Sequence, residues 1–340
     1  MKITLQILRR VFNKKLRYTH LMAFIKYNSL PKLFNFIINE YERRIKRVKL
    51  SSKPYLINSE PTNHCNFKCP FCPTGKNYKR TGGFAQIELY EKIFKQIGRY
   101  IYLITIHGWG EPLLFKNLPE IVKLAHNNKI FTVVTTNGSL LTKKMSRKII
   151  SSKLDYLILS IDGISEETYQ KYRIGGSYNA ILTNLKYLIS LKKEQGSSTP
   201  FIEWQFLVFK HNEHEIDSAK KLASELGLDN IVFMPAYTED VCFDSTDEKF
   251  HLPRHSPLSK QSDCKHLWST LTYHWNGKVV PCCYDFFGKI SYGNLHNERF
   301  GQIWNNEYFL ESRRVIKNGP EGRSQDLFCS FCVRNIAQAP

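Results

Sequence analysis

Residues 55–72 read Tyr55-Leu-Ile-Asn-Ser59-Glu60-Pro-Thr-Asn-His64-Cys65-Asn-Phe-Lys-Cys69-Pro-Phe-Cys72: an apolar run, a polar connector and three closely spaced cysteines. The run from Tyr55 to Ser59 has the composition of a strand, which places the three thiols on the loop at its C-terminal end. The same unit recurs downstream. Apolar β-rich runs at Leu103 to His107, Phe131 to Thr136, Tyr156 to Ile161, Ile202 to Phe209 and Ile231 to Met234 are expected strands. Helical periodicity fills the intervals at Ile87 to Ile97, Leu118 to Asn127, Lys143 to Ile150, Tyr178 to Lys192 and Glu215 to Leu226. Strands separated by helices imply a parallel sheet, so the fold class is α/β. Six such units make a partial (β/α)6 TIM-like barrel, short of the eight of a closed one.

At 340 residues and 42% hydrophobic, the chain is long enough for one large domain and a smaller appendage. Its formal charge of +19 is uneven. Residues 1–53 carry 14 Lys or Arg against Glu40 and Glu42, which leaves +12 there and +7 for the remainder. Nine cysteines without a secretory signal pattern point to metal ligation in a reducing compartment rather than to disulfides. Arg9, Arg10, Lys14, Lys15 and Arg17 interrupt the N-terminal apolar residues, so neither a signal core nor a membrane span is expected there. The expected location is cytoplasmic, with a mitochondrial transit peptide as the alternative reading of an Arg-rich start.

Two apolar stripes run through this basic arm. Leu5, Leu8, Phe12 and Leu16 form one; Leu30, Leu33, Phe34, Ile37, Ile38 and Tyr41 form the other after a break at Ser29-Leu-Pro31. A helical hairpin is expected, with the stripes docked on the main domain and the charges solvated. The alternative is peripheral contact with an anionic membrane surface.

The Cys65-x3-Cys69-x2-Cys72 spacing, with Phe71 before the last cysteine, resembles the signature of the radical S-adenosylmethionine (SAM) superfamily. The family's companion motifs follow in order. Gly110-Glu111-Pro112 resembles its glycine and glutamate motif for the SAM ammonium, although Trp109 stands where the first glycine is usual. Asn137 in Thr136-Asn137-Gly138, and Ser160 and Asp162 in Ser160-Ile-Asp162-Gly163, lie at strand ends that face SAM in the family. Arg173 resembles the arginine that pairs with the SAM carboxylate, and Asn212 with Glu215 resembles a family Asn-x2-Glu element. The resemblance implies that three thiolates hold a 4Fe-4S cluster with one iron open to SAM, from which an electron releases a deoxyadenosyl radical. The alternative is zinc with His64 as fourth ligand; adjacent His64 and Cys65 suit one tetrahedron poorly.

Cys264, Cys282, Cys329 and Cys332 form a second group in a segment that resembles the SPASM or twitch appendages of radical SAM enzymes. Gly277-x4-Cys282, Gly293-Asn294-Leu295 and Ile303-Trp304 carry that likeness. Four ligands imply one auxiliary 4Fe-4S cluster, with structural zinc as the alternative; Cys242 and Cys283 are left over. The segment shows little helical periodicity. The expected domains are a basic helical arm at 1–53, a radical SAM barrel at 54–240 and a SPASM/twitch-like domain at 241–340.

An auxiliary cluster that accepts an electron would make the enzyme a dehydrogenase, and a thiol that returns hydrogen, Cys242 or Cys283, would make it an epimerase. The basic arm suits a sugar-like or lipid-linked intermediate of an envelope glycan. Many SPASM enzymes instead mature ribosomal peptides, using a module of strands and helices ahead of the barrel, whereas the 53 residues here show helix-like stripes and no strand-hairpin signal. A reductase such as flavodoxin or ferredoxin is the expected protein partner. The reading from another class is a nonenzymatic zinc protein with a nucleic-acid-binding arm; charge confined to the arm and ordered strand-end motifs speak against nucleic acid.

Overall fold

The computed structural model describes residues 18–76, 80–251, 264–319, 327–330 and 332. Two helices, α1 (Tyr18–Tyr27) and α2 (Leu30–Arg44), precede β1 (Leu56–Ser59). There follow α3 (Ile87–Ile97), β2 (Leu103–Ile106), α4 (Leu118–Asn127), β3 (Phe131–Thr136), α5 (Lys143–Ser151), β4 (Tyr156–Ser160), the short α6 (Glu166–Gln170), α7 (Tyr178–Glu194), β5 (Phe201–Val208), α8 (Ile216–Leu226) and β6 (Asn230–Pro235). The strands β1 to β6 are parallel and adjacent in chain order, as the alternating pattern implies.

The local reasons are ordinary. In α3 the side chains of Leu89, Tyr90, Ile93, Phe94 and Ile97 recur on one face and are buried against the sheet. Thr142, Ser165 and Ser177 cap α5, α6 and α7 by accepting from Met145, Thr168 and Ala180 amides. The five-residue α6 is too short for a periodic signal and shows only in its Ser165 cap.

The C-terminal segment departs from expectation. After α9 (His266–Ser269), β7 (Thr270–Tyr273) joins the same sheet parallel to β1, and β8 (Val279–Val280) returns antiparallel through a turn at Gly277, whose φ is +76°. Among the described residues the sheet therefore has eight strands, in the order β6-β5-β4-β3-β2-β1-β7-β8. Following α10 (Phe300–Ile303) comes a twelve-residue helix, α11 (Glu307–Asn318), where little helical periodicity is legible. Its inward face carries Ser312 and Arg313 as well as Phe309 and Val315, which breaks the apolar repeat. Buried Arg313 donates to the carbonyls of Val48, Leu267 and Trp304 at 3.0–3.1 Å.

The larger correction concerns α2. Its buried residues are Lys32, Asn35, Asn39 and Glu42, whereas Leu30, Phe34, Ile37, Ile38 and Tyr41 are exposed. The apolar stripe is not docked; the polar one is. Asn35 exchanges bonds with the backbone of Lys53, at 3.0 Å to its carbonyl and 2.8 Å from its amide. Asn39 donates to Ser52 Oγ at 2.9 Å and to the Trp268 carbonyl at 2.7 Å. Glu42 accepts from the amides and hydroxyls of Ser51 and Ser52 at 2.6–3.1 Å, and these bonds hold its carboxyl below the usual range against burial. The stripe of Leu5, Leu8, Phe12 and Leu16 lies outside the described residues.

Burial pushes the Lys32 amine, which donates to the Lys129 carbonyl, down to about 8. The folded chain thus gives up this proton at lower pH than the unfolded chain. Between about pH 8 and 10.5 the unfolded state binds the extra proton, so this group makes stability rise with pH, by up to about 3 kcal/mol. Denaturant titrations at pH 7 and pH 10 are expected to show that rise in the wild type and its loss in Lys32→Met.

Candidate functional site

The C-terminal ends of the barrel strands open into a chamber of about 920 Å³. Cys65, Cys69 and Cys72 line it from the loop after β1, Gly110 and Glu111 from the loop after β2, Asn137 after β3, Ser160 at the end of β4, and Arg173 beyond α6. Each expected residue of the first site is therefore on its wall, save Asp162, which lies fully buried behind Arg173.

The cysteine loop is shaped by turns and close packing. Cys72 donates its amide to the Cys69 carbonyl at 3.2 Å, and Lys68 donates to the Ile174 carbonyl at 2.9 Å, tying this loop to the Arg173 segment. A Cβ on Gly75 would stand 2.2 Å from the Cys69 carbonyl oxygen, so only glycine fits under the loop. Gly110 is constrained likewise, its missing Cβ facing the Thr62 carbonyl at 2.3 Å. Burial pushes the Cys65 thiol up to about 11 and raises Cys69, against the pull of Arg173 4.0 Å away. Three such thiols on one loop could hold three irons of a cluster, releasing their protons on ligation.

The polar residues brace one another. Glu111 accepts from the Leu113 amide at 3.0 Å, the Thr136 hydroxyl at 2.6 Å and the Asn137 amide at 2.8 Å, joining the loops after β2 and β3. Burial raises its carboxyl in spite of those donors. Asn137 donates to Asn66 Oδ1 at 3.0 Å, between two of the cysteines. Arg173 Nε lies 2.5 Å from Asp162 Oδ2, while Asp162 Oδ1 accepts from the Leu207 amide at 2.7 Å. Burial drives Asp162 upward, and its charge keeps Arg173 protonated. Asn212 and Glu215 stand outside the chamber lining: Asn212 donates to the Asp162 carbonyl at 3.2 Å, and Glu215 accepts from Thr168 at 2.7 Å and Ile164 at 3.1 Å.

Comparison with known proteins places this arrangement. Residues 59–202 match the family model of the radical SAM superfamily, and residues 264–333 match that of the SPASM iron–sulfur cluster-binding domain. The chain is a radical SAM enzyme with a C-terminal SPASM domain. Its cofactors are SAM and 4Fe-4S clusters, and the nonenzymatic zinc reading is overturned. This radical SAM enzyme is 23% identical over 299 residues to the tungsten-containing aldehyde ferredoxin oxidoreductase cofactor-modifying protein of Pyrococcus furiosus, a match covering 76% of this chain and 83% of that one. It is 23% identical over 283 residues to the S-adenosyl-L-methionine-dependent 2-deoxy-scyllo-inosamine dehydrogenase of Niallia circulans, covering 82% and 92%. Streptococcus suis SuiB bound to SAM shares its fold with a TM-score of 0.63 at 15% identity, covering 88% of this chain and 76% of that one.

In the SPASM domain, Cys264 stands near Cys282, Cys329 and Cys332, and Cys282 stands near both Cys329 and Cys283. Burial raises the Cys282 and Cys329 thiols strongly and Cys332 to about 11. The hydroxyls of Tyr292 and Ser312, 2.5 Å apart, reach Cys329. Cys283 lines a small cavity with His107, Trp109 and His274 at the seam between barrel and SPASM domain. Cys242 is exposed and absent from the chamber wall.

Several wall residues escape motif reading. Tyr237 and Glu239 follow β6, and Tyr284 follows the Cys282-Cys283 pair. The Lys76 ammonium pairs with Glu239, and both line the chamber. Arg80 pairs with Glu60 and donates to the Phe286 carbonyl at 2.9 Å, fastening the cysteine loop to the SPASM domain. Position just past a strand end was the available signal for Tyr237 and Glu239; Arg80 offered none.

Replacing Asp162 by Asn leaves the buried Arg173 guanidinium without its countercharge, so a loss of about 3–5 kcal/mol is expected in chemical denaturation. The Asp162→Asn/Arg173→Gln double variant is expected to recover part of that loss, giving a non-additive cycle.

Proposed function

We propose that Cys65, Cys69 and Cys72 hold the SAM-cleaving cluster, that Gly110, Glu111, Asn137, Ser160, Asp162 and Arg173 position SAM, and that the enzyme oxidises or epimerises a small sugar-like substrate. The lipid-linked form of such a sugar, an envelope glycan intermediate, belongs to the same reading. The observation that carries it is the composition of one chamber: three thiols, and elsewhere on the wall Lys76, Gln205, Tyr237, Glu239 and Tyr284 set among Phe71, Trp109, Tyr172 and Leu207. Charged and amide groups beside aromatic faces suit a polyhydroxylated ring. The relative named a 2-deoxy-scyllo-inosamine dehydrogenase supports oxidation of a small molecule.

When bound, cluster and SAM supply a deoxyadenosyl radical able to take hydrogen from carbon. The chain's own residues do the rest. Arg173, held charged and oriented by Asp162, offers N–H groups to a carboxylate. Glu111 fixes the loops after β2 and β3 relative to one another, so the SAM site is set before SAM arrives. The Lys76–Glu239 ion pair and Tyr284 line the same chamber as the three thiols and bound the space left for a substrate. Cys264, Cys282, Cys329 and Cys332 would hold one auxiliary 4Fe-4S cluster, which would supply an electron acceptor. The domains are assigned as arm 1–53, barrel 54–240 and SPASM domain 241–340, and a flavodoxin or ferredoxin supplies electrons in the cytoplasm, with the arm at the inner membrane face.

Peptide maturation is the second reading. It is favoured by a match to the PqqA peptide cyclase of Gluconobacter oxydans, 21% identical over 286 residues and covering 75% of this chain and 78% of that one. Against it, described residues 18–53 form two helices and no strand.

Reconstitution without oxygen, followed by SAM and a strong reductant, is expected to release deoxyadenosine from the wild type and none from Cys69→Ala. In Cys329→Ala, SAM cleavage should persist while one cluster's iron and substrate oxidation are lost. No deoxyadenosine from wild-type protein shown to hold reduced clusters would overturn the reading.

A further inference from the structure

The outward face of α2 is an apolar stripe with no counterpart in the described structure. Leu30 is 69% exposed, Phe34 61%, Ile37 54%, Ile38 44% and Tyr41 61%, and Ile45 continues the line at 48%. This is no frayed element, because its opposite face is anchored through Asn35, Asn39 and Glu42. An amphipathic helix normally turns its apolar side to the core; here the polar side was needed there, and the apolar side was left to water. Exposing five large apolar residues on one helix and a sixth at its C-cap is costly unless something covers them.

Charge identifies the cover. Around the stripe's C-terminal end Arg44, Arg47 and Lys49 are exposed and Lys46 is half-buried. On its flank Leu30, Phe34 and Ile38 share a groove with Lys53 and Arg99. Only two acids occur in residues 1–53, and both face inward: Glu42 is buried, and Glu40 pairs with Arg43 at 2.9 Å and accepts from Tyr55 at 2.8 Å. Among the described residues 18–53 the outward surface is thus apolar and cationic with no exposed acid, Arg47 remaining half-exposed although it also reaches Glu42 at 3.6 Å. A second copy seated on it would bring like charges together, whereas an anionic bilayer offers acyl chains to the stripe and phosphates to the cations. No described helix is long and apolar enough to cross a membrane, so the contact is an interfacial one. At 15 residues α2 is about 22 Å long, enough to lie in the headgroup plane.

We infer that the outer face of α2 is a docking surface for anionic membrane, seating Leu30, Phe34, Ile37, Ile38 and Tyr41 at the headgroup boundary with Arg44, Arg47, Lys53 and Arg99 beside them. This deepens the lipid-linked reading above by naming the surface that meets the lipid. It stands without that reading, because docking is independent of what the chamber oxidises.

The test is vesicle flotation of the full-length, cluster-loaded enzyme on phosphatidylcholine vesicles with and without phosphatidylglycerol, comparing wild type with Phe34→Gln/Ile37→Gln/Ile38→Gln. These side chains are exposed, so the triple variant keeps its fold, and retained SAM cleavage checks this. The wild type is expected to float with the anionic vesicles only, less so as salt rises, and the triple variant to bind at least about tenfold more weakly. Equal binding by the triple variant overturns the proposal and assigns lipid contact elsewhere in the chain. Wild type that stays off anionic vesicles also overturns it; light scattering then asks whether the same substitutions convert a dimer to a monomer, which would make a second copy the cover. Failure of SAM cleavage in both proteins would instead count against the catalytic reading and leave flotation interpretable.

Discussion

The backbone between α2 and β1, where Leu50 and Ser52 are buried while Arg47, Lys49 and Ser51 are exposed, must find hydrogen-bond partners where it meets the SPASM domain, and much of the molecule is arranged to supply them. Residues 47–53 belong to no helix or strand, so side chains from both ends of the chain serve them instead. Trp268 donates to the Arg47 carbonyl at 2.9 Å, Arg313 to Val48 at 3.1 Å, Asn305 to Leu50 at 2.8 Å and Trp304 to Ser52 at 3.1 Å. Asn35, Asn39 and Glu42 take most of the rest. An unpaired buried amide or carbonyl costs about 1–3 kcal/mol, so a run of them outweighs the cost of exposing a few apolar side chains at the helix surface. That ranking explains why α2 turns its polar stripe inward and α11 buries an arginine. It also fixes β1, and with it the loop that carries Cys65, Cys69 and Cys72.

The barrel's open end is organised by the same economy of buried polar groups. Glu111, Asn137, Asp162 and Asn212 each bond to the backbone or side chains of a neighbouring strand loop, so loops far apart in sequence are set by a handful of short contacts. Pre-set loops lower the cost of ordering a ligand among them. The SPASM domain completes the wall instead of capping it from a distance: Tyr284 enters the chamber, and Phe286 meets the Trp109 ring edge-on at 5.4 Å.

What was legible in the sequence was what periodicity and motif order encode. The six parallel strands and most helices follow from buried faces with regular spacing, and the chamber residues follow from motifs at strand ends. The orientation of α2 was not legible, because the stripe of Leu30, Phe34, Ile37 and Ile38 is indistinguishable from a docking face until the unsatisfied backbone of residues 51–53 is seen beside Asn35 and Asn39. Helix α11 was hidden by the mixed character of its inner face, and β7 by its shortness and distance from β1 along the chain. Lys76, Arg80 and Glu239 are ion-pair partners chosen by tertiary geometry alone.

The pairing of β1 with β7 has a bearing on how the protein is made. β1 leaves the ribosome early, yet its second neighbour is encoded near the end of the chain, so one edge of the barrel's first strand stays open through most of synthesis. An open parallel edge invites pairing with other chains, and non-local closure is slow. The loop bearing the first three cysteines hangs from that strand and is clamped by Arg80 to a carbonyl of the last domain. The setting of that loop is therefore complete only after the C-terminal strands have docked, so the first strand made and the last strand made are finished together.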